Sequence, residues 1–511
     1  MANIQVTHDT DPNNARSESS IAINPNPNKG LQIVAASKKF RDIHNYDFTI
    51  ATEYSPDGGF TWFSSDEVPL MGFTSLADPS LAWNDQNVFL VGVAASAQGG
   101  WRVVAYKSTD GKAWTATSPI DSSDGADQPW AAGDFINGRV YIVWVDGSSD
   151  LRFAQTKNNG LTWVGAGAGD TPAGTLLANA CLAPKVAVGG NGHIYIIWIS
   201  PGATSDEIKM KVSTDGGDTF HTAISPATDV DTLGRSLPEV HGFPVFPGGK
   251  FRFVSTPTVC RFGQTGVAVA WNHFQKGVSR IYYALSPHGG TTWTTGPLLT
   301  DAFPVTFQHF HPQIVTDRNG VIGCAFYEFG PKPSANLIDV IMARSFDGGS
   351  SFEHFTVTDQ PWDPTLHAPW SDHMDQTPID ASVTFIGEYL GLDADSVAFH
   401  PIWTDTRTTI QELWTDIVPV TRLLPTKMYE QVAEILVGII QDGGGIEQIG
   451  RHFKRIPPWG PPELDILLGV VCHRVAALVS GDEGMALQNA AMTMVARVAE
   501  REIQRLGGIK Q

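Results

Sequence analysis

A chain of 511 residues with a formal charge of −19, 42% hydrophobic and 17% charged residues, exceeds one ordinary core and suits several domains or one large repeat array. The acidic balance excludes a phosphate backbone as partner, because nucleic-acid binders need a basic face. No window reaches the roughly 18 apolar residues of a membrane helix, and the first residues, MANIQVTHDTDPNN, contain neither a basic nor an apolar signal region. A soluble protein is therefore expected, cytoplasmic or secreted after processing. The four cysteines, Cys181, Cys260, Cys324 and Cys472, lie far apart among apolar residues and read as buried free thiols.

Along the chain, one element recurs seven times: an entry residue, followed in five cases by proline, opens a short apolar strand. The entries are Glu18, Asp78, Gln128, Ala183, Thr256, His311 and Gly387. A second apolar strand follows each, and a third leads into a glycine-rich turn. That turn is SPDGGFTW at 55–62, STDGKAW at 108–114, TKNNGLTW at 156–163, STDGGDTF at 213–220, SPHGGTTW at 286–293 and SFDGGSSF at 345–352. Four short strands per unit is the signature of a propeller blade, so the repeat predicts an all-β propeller of seven blades, with six as the alternative count. The last unit lacks the turn, and residues 4–8 are expected to supply its missing strand.

The turn itself reads as architecture. Its glycines permit positive φ, and its Asp accepts backbone N–H bonds. A catalytic carboxylate would not be repeated and then replaced by Asn158 and His288. Each copy also has too few carboxylates for a calcium ion.

Residues from every blade converge where the inner strands begin, so a ligand site is expected there. Beside the entry residues, a second set two positions on comprises Ser20, Ser80, Trp130, Lys185, Thr258, Gln313 and Tyr389. Two readings stand: strand caps that hold channel water, or a binding site. Were the ring catalytic, Asp78, Glu18 and Glu388 would be the acid and base, with Asp127 just outside. His309, His311, His367 and His373 lack metal-binding helix spacing and read as hydrogen-bonding groups, so neither metal nor cofactor is called for.

Composition changes after Pro425. Helical periodicity over 428–440, 446–453, 461–479 and 485–506 predicts a small bundle. The chain thus divides into a propeller, 1–422, and a C-terminal α-helical domain, 423–511, suited to interaction or oligomerisation, or to packing on the propeller.

The six turns resemble the Asp boxes, or BNR repeats, of the sialidase-like propellers, over about residues 1–420. The order Arg16, the strand from Ser19, Arg41-Asp42 and the first turn is similar to the opening of sialidases. FIGEYLGL at 385–392 with HPIWTDTR at 400–407 resembles the close of a bacterial group of such proteins. Arg16-Ser17-Glu18 departs from the Arg-Ile-Pro of sialidases, and seven blades depart from their six. The resemblance implies a glycan-acting hydrolase of exo-glycosidase type, with Tyr389 as nucleophile, Glu388 as its base, and Arg16, Arg41 and Arg407 gripping a sugar carboxylate. Trp130, Lys185, His311 and Gln313 would complete substrate binding. The alternative is a non-catalytic carbohydrate- or protein-binding propeller tethered through its helical domain.

Overall fold

In a computed structural model, the structure describes residues 3–26, 32–44, 47–120, 124–167, 169, 171–240, 243–301, 303–332, 335–369 and 383–420. The chain divides into two compact units, Met1–Asp395 with Phe399–Val418, and Ser396–Ala398 with Pro419–Gln511. The helices expected in 423–511 lie outside the described residues.

The first unit is a seven-bladed propeller. Six blades are antiparallel meanders of four consecutive strands, and their inner strands are Arg16–Ile23, Ser75–Trp83, Asp127–Asp134, Leu182–Val188, Thr258–Phe262 and Gln308–Thr316. The seventh begins at Gly391–Ala394, continues through Ala398–Asp405 and Glu412–Thr415, and is completed by Ile4–Gln5 from the N-terminus. Ile4 pairs with Thr415 and Gln5 with Trp414. Glu412 accepts from Gln5 Nε2 and from the Asp9 amide, which fastens the joint.

The second strand of each blade, such as Arg139–Val145 (RVYIVWV) or Ile194–Ser200 (IYIIWIS), is apolar on both faces because both faces meet neighbouring blades. Trp144, Trp198, Trp271 and Trp403 on these strands are fully buried. Third strands alternate, as in Asp206–Ser213, because they lie nearer solvent.

The glycine-rich turns act as locks. In the first, Ser55 Oγ donates to Asp57 Oδ1 at 2.9 Å and accepts from the Gly59 amide at 2.8 Å, while Asp57 takes the Thr61 amide at 2.9 Å and hydroxyl at 2.7 Å. The same pattern recurs around Asp215 and Asp347. With His288 in the Asp position, the Ser286–Gly290 bond of 2.8 Å persists, but Thr291 bonds to the His288 carbonyl instead.

The entry residues depart from the simple strand expected of them. Glu18, Asp78, Gln128, Ala183 and His311 all have left-handed backbone, with φ of 55°, 57°, 52°, 47° and 48°. Each opens a bulge in which two inner-strand residues oppose one on the second strand; the register shifts fall between Ser17 and Ser20, Ala77 and Ser80, Asp127 and Trp130, Leu182 and Lys185, and Phe310 and Gln313. Such a backbone costs a non-glycine residue roughly 1–2 kcal/mol. Ala183 has no chemistry to gain from it, so the bulge is first an architectural device that turns the strand into the channel. Ala183→Gly is accordingly expected to raise stability by about 1 kcal/mol in denaturant titrations. An unchanged or lower midpoint would refute the strain.

Candidate functional site: the channel mouth

The bulges let each side chain reach the next blade. Glu18 Oε2 accepts from the Asp78 amide at 3.3 Å, Asp78 Oδ2 from the Gln128 amide at 3.3 Å, and Gln128 Oε1 from the Ala183 amide at 2.8 Å. Two residues further in, a second lacing joins the first blade to the second, the second to the third and the fifth to the sixth. Ser20 Oγ accepts from the Leu81 amide, Ser80 Oγ from the Ala131 amide and Thr258 Oγ1 from the Ile314 amide. The hydroxyl positions therefore hold the ring together, while the acidic ones combine that task with a face on the opening. Beyond them runs a central channel of about 670 Å³, lined from Ser20, Trp130 and Gln313 down to Asp134, Thr316 and Asp395.

Four carboxylates gather at the mouth from four consecutive blades: Glu388, Glu18, Asp78 and Asp127. Glu18 is buried and ion-paired with Lys38 at 3.6 Å. Burial pushes it up to about 8, against the Lys38 charge and with help from Asp78 and Glu388. Asp127 is exposed at the opening and accepts from the Gln128 amide at 2.9 Å, an amide it shares with Asp78. Loss of hydration inside the mouth, then the charges of Asp78 and Glu388, raise it to about 8. Glu388 is balanced by Arg252 at 2.5 Å, a residue of the insertion before the fifth blade. Sequence reading missed Arg252; the long interval between the entries at 183 and 256 was the available signal.

Beneath the carboxylates lies a floor of packed rings. Trp130 meets Tyr389 edge to face at 5.6 Å, and Lys185 Nζ sits 3.2 Å from the Trp130 ring centre. Tyr389 is buried and its hydroxyl donates to the Pro79 carbonyl at 3.2 Å. Burial and the four surrounding carboxylates hold its phenol well above the usual range. Burial lowers Lys185 well below the usual amine range, opposed by Asp78, Glu388 and Glu18.

The remaining expected site residues are placed elsewhere or otherwise engaged. Arg16 is buried between Asp9 and Glu53, at 2.8 Å from each. Arg41 pairs with Asp47 and Glu67 on exposed surface. Arg407 pairs with Asp405 at 2.6 Å and with Asp359, and lies over Trp414, so it closes the last blade. The structure thus does not bring these three arginines together into a carboxylate clamp. His311 is buried, with Nε2 bonded to the Val254 carbonyl at 2.9 Å and burial lowering it to about 3. His309 pairs with Glu328 at 3.0 Å, His367 is exposed, and His373 lies outside the described residues. Among the described residues, no three His, Cys, Asp or Glu side chains are grouped to hold a metal ion. None of the described helices is long and apolar enough to cross a membrane.

A buried acid raised to about 8 binds its proton more tightly in the folded state than unfolded. Its favourable contribution is complete below the unfolded value and is lost as pH rises through 8. Glu18→Gln removes that loss, so its stability relative to the unsubstituted protein should climb between pH 5 and 8, with a slope of at most about 1.4 kcal/mol per pH unit. A pH-independent difference in denaturation midpoint would show that Glu18 stays charged.

The geometry defines a seven-bladed propeller with one asymmetric acidic mouth. No protein-family model matches the chain, and no curated protein does. Among solved structures, an α-L-arabinanase of Penicillium chrysogenum complexed with arabinobiose aligns with 83% of this chain and 99% of its own, at 12% identity and a TM-score of 0.42. The GH93 α-L-arabinofuranosidase of Fusarium graminearum aligns with 82% and 98%, at 10% identity and 0.41. A Hadza microbial sialidase aligns over 61% of this chain, which spans 63% of the sialidase, at 14% identity and 0.39.

Proposed function

We propose that the protein is a glycoside hydrolase acting at the channel mouth. The observation that carries this reading is the convergence of four carboxylates, of which Asp78 and Asp127 both receive the Gln128 amide and are unequally exposed. Glycoside cleavage needs a protonated carboxyl to release the leaving oxygen and a second carboxylate as nucleophile or base. Asp127, exposed at the mouth and shifted toward its protonated form by desolvation and by the Asp78 and Glu388 charges, takes the first part. Glu388, on the far side of the mouth and charge-balanced by Arg252, takes the second. Asp78 positions Asp127, and Glu18 completes the crowding from below.

Tyr389 is assigned a supporting part and not that of nucleophile, because four carboxylates oppose its ionisation and its hydroxyl is already engaged. In this reading the glycine-rich turns are Asp boxes of a sialidase-like propeller, and residues 423–511 form a helical module for interaction or oligomerisation. A screen of chromogenic α- and β-glycosides, sialosides included, tests the hydrolase. Binding without turnover across the panel would favour the alternative, a carbohydrate-binding propeller.

A further inference from the structure

Lys185 rises from the fourth inner strand into the mouth, and its side chain is almost wholly enclosed, at 5% exposure. Its Nζ lies over the Trp130 ring and 4.8 Å from the Tyr389 ring. Among the described residues nothing within bonding distance accepts a hydrogen bond from it. The fold thus buries an amino group with donors to spare, which is costly unless a ligand completes it. Asp78 presents the complementary lack: its carboxylate accepts only the Gln128 amide, and among the described residues no cation lies within ion-pair distance of it.

A sugar hydroxyl answers both needs, since its oxygen accepts from Nζ while its hydrogen goes to a carboxylate. A sugar carboxylate would satisfy Lys185 but would stand against Asp78 and Glu388, and Arg16, Arg41 and Arg407 are committed to other acids. We propose that the mouth takes a sugar without an acidic group, whose adjacent hydroxyls bridge Lys185 to Asp78 beside the half-exposed Trp130 indole. This rests on the reading of the mouth as a glycan site, and it names the substrate class.

The test is calorimetric titration of the full chain with matched methyl glycosides that differ only at C6: galactoside against galacturonide, and glucoside against glucuronide. Arabinofuranoside, fucoside and sialoside are added, and hydrolysis of the corresponding 4-methylumbelliferyl glycosides is followed in parallel. A neutral glycoside should bind at least about tenfold more tightly than its acidic counterpart, as expected for one charged hydrogen bond gained or opposed. Lys185→Met should weaken that binding at least about tenfold while keeping or raising the thermal midpoint, because a buried polar group without a hydrogen-bond acceptor is replaced by an apolar side chain. Tighter or equal binding of the acidic member, no binding of any neutral glycoside, or unchanged affinity in Lys185→Met would each overturn the proposal. Neutral binding without hydrolysis defeats the hydrolase and leaves this inference standing; hydrolysis of sialosides or uronides alone does the reverse.

Discussion

Asp127→Asn is expected to lower kcat by about 10²- to 10⁴-fold on any glycoside the protein cleaves, while leaving the propeller folded. The asparagine carbonyl can still accept from the Gln128 amide, so the local bulge loses little. What disappears is the transferable proton. Desolvation and the nearby Asp78 and Glu388 charges keep Asp127 protonated up to about pH 8, so activity in the unsubstituted protein should fall as pH rises through that value. Asp78→Asn sharpens the test. Removing a neighbouring negative charge lets Asp127 ionise more readily, which moves the alkaline limb of the pH profile downward. Wild-type kcat in Asp127→Asn, or an alkaline limb that Asp78→Asn leaves in place, would remove Asp127 from the acid's part.

Gly133→Ala should be the most damaging single methyl in the ring, costing about 3 kcal/mol. Gly133 lies in the third inner strand with ordinary backbone, so left-handed geometry is not at issue. The reason is proximity: a Cβ there would overlap the carbonyl oxygen of Trp83, the last residue of the second blade's inner strand. Neither backbone can move without disturbing the lacing that joins Ser80 to Ala131 and Asp78 to Gln128. Gly296→Ala is the matched control, because a Cβ on that outer strand meets nothing within 4 Å. Denaturant titration should separate the two by the full cost, with Gly296→Ala neutral or slightly stabilising. Equal midpoints would mean that the inner strands slide apart more easily than their packing suggests.

The blades were legible because they repeat. A turn such as SPDGGFTW carries its own hydrogen-bond partners within eight residues, so its bonds follow from local sequence, as do the number of units and the strand that Ile4 and Gln5 add to the last one. The entry positions were equally visible, but their bulges were not. Nothing in Asp78-Pro79 or Ala183-Pro184 announces left-handed backbone, which arises from fitting an inner strand against Gly92 or Trp198 across the blade. The arginines illustrate the sharper limit. Arg16 is satisfied by Glu53, 37 residues away, and Arg407 by Asp359, 48 residues away. A family resemblance can propose their part, while only the folded chain shows which acid each one meets. Arg252 is the converse case, brought 136 residues along the chain to Glu388 from a segment without a motif.

The joint between Ile4–Gln5 and Glu412–Thr415 gives biosynthesis an order. Ile4 and Gln5 are synthesised more than four hundred residues before their hydrogen-bond partners exist. Until then, Glu412's partners at Gln5 and Asp9 stay unclaimed, and the outermost growing blade offers a bare edge to any other nascent chain. A polypeptide released before residue 412 lacks the strand on which Ile4 and Gln5 close the ring, so its N-terminal strand stays without its partner and the seventh blade is left incomplete.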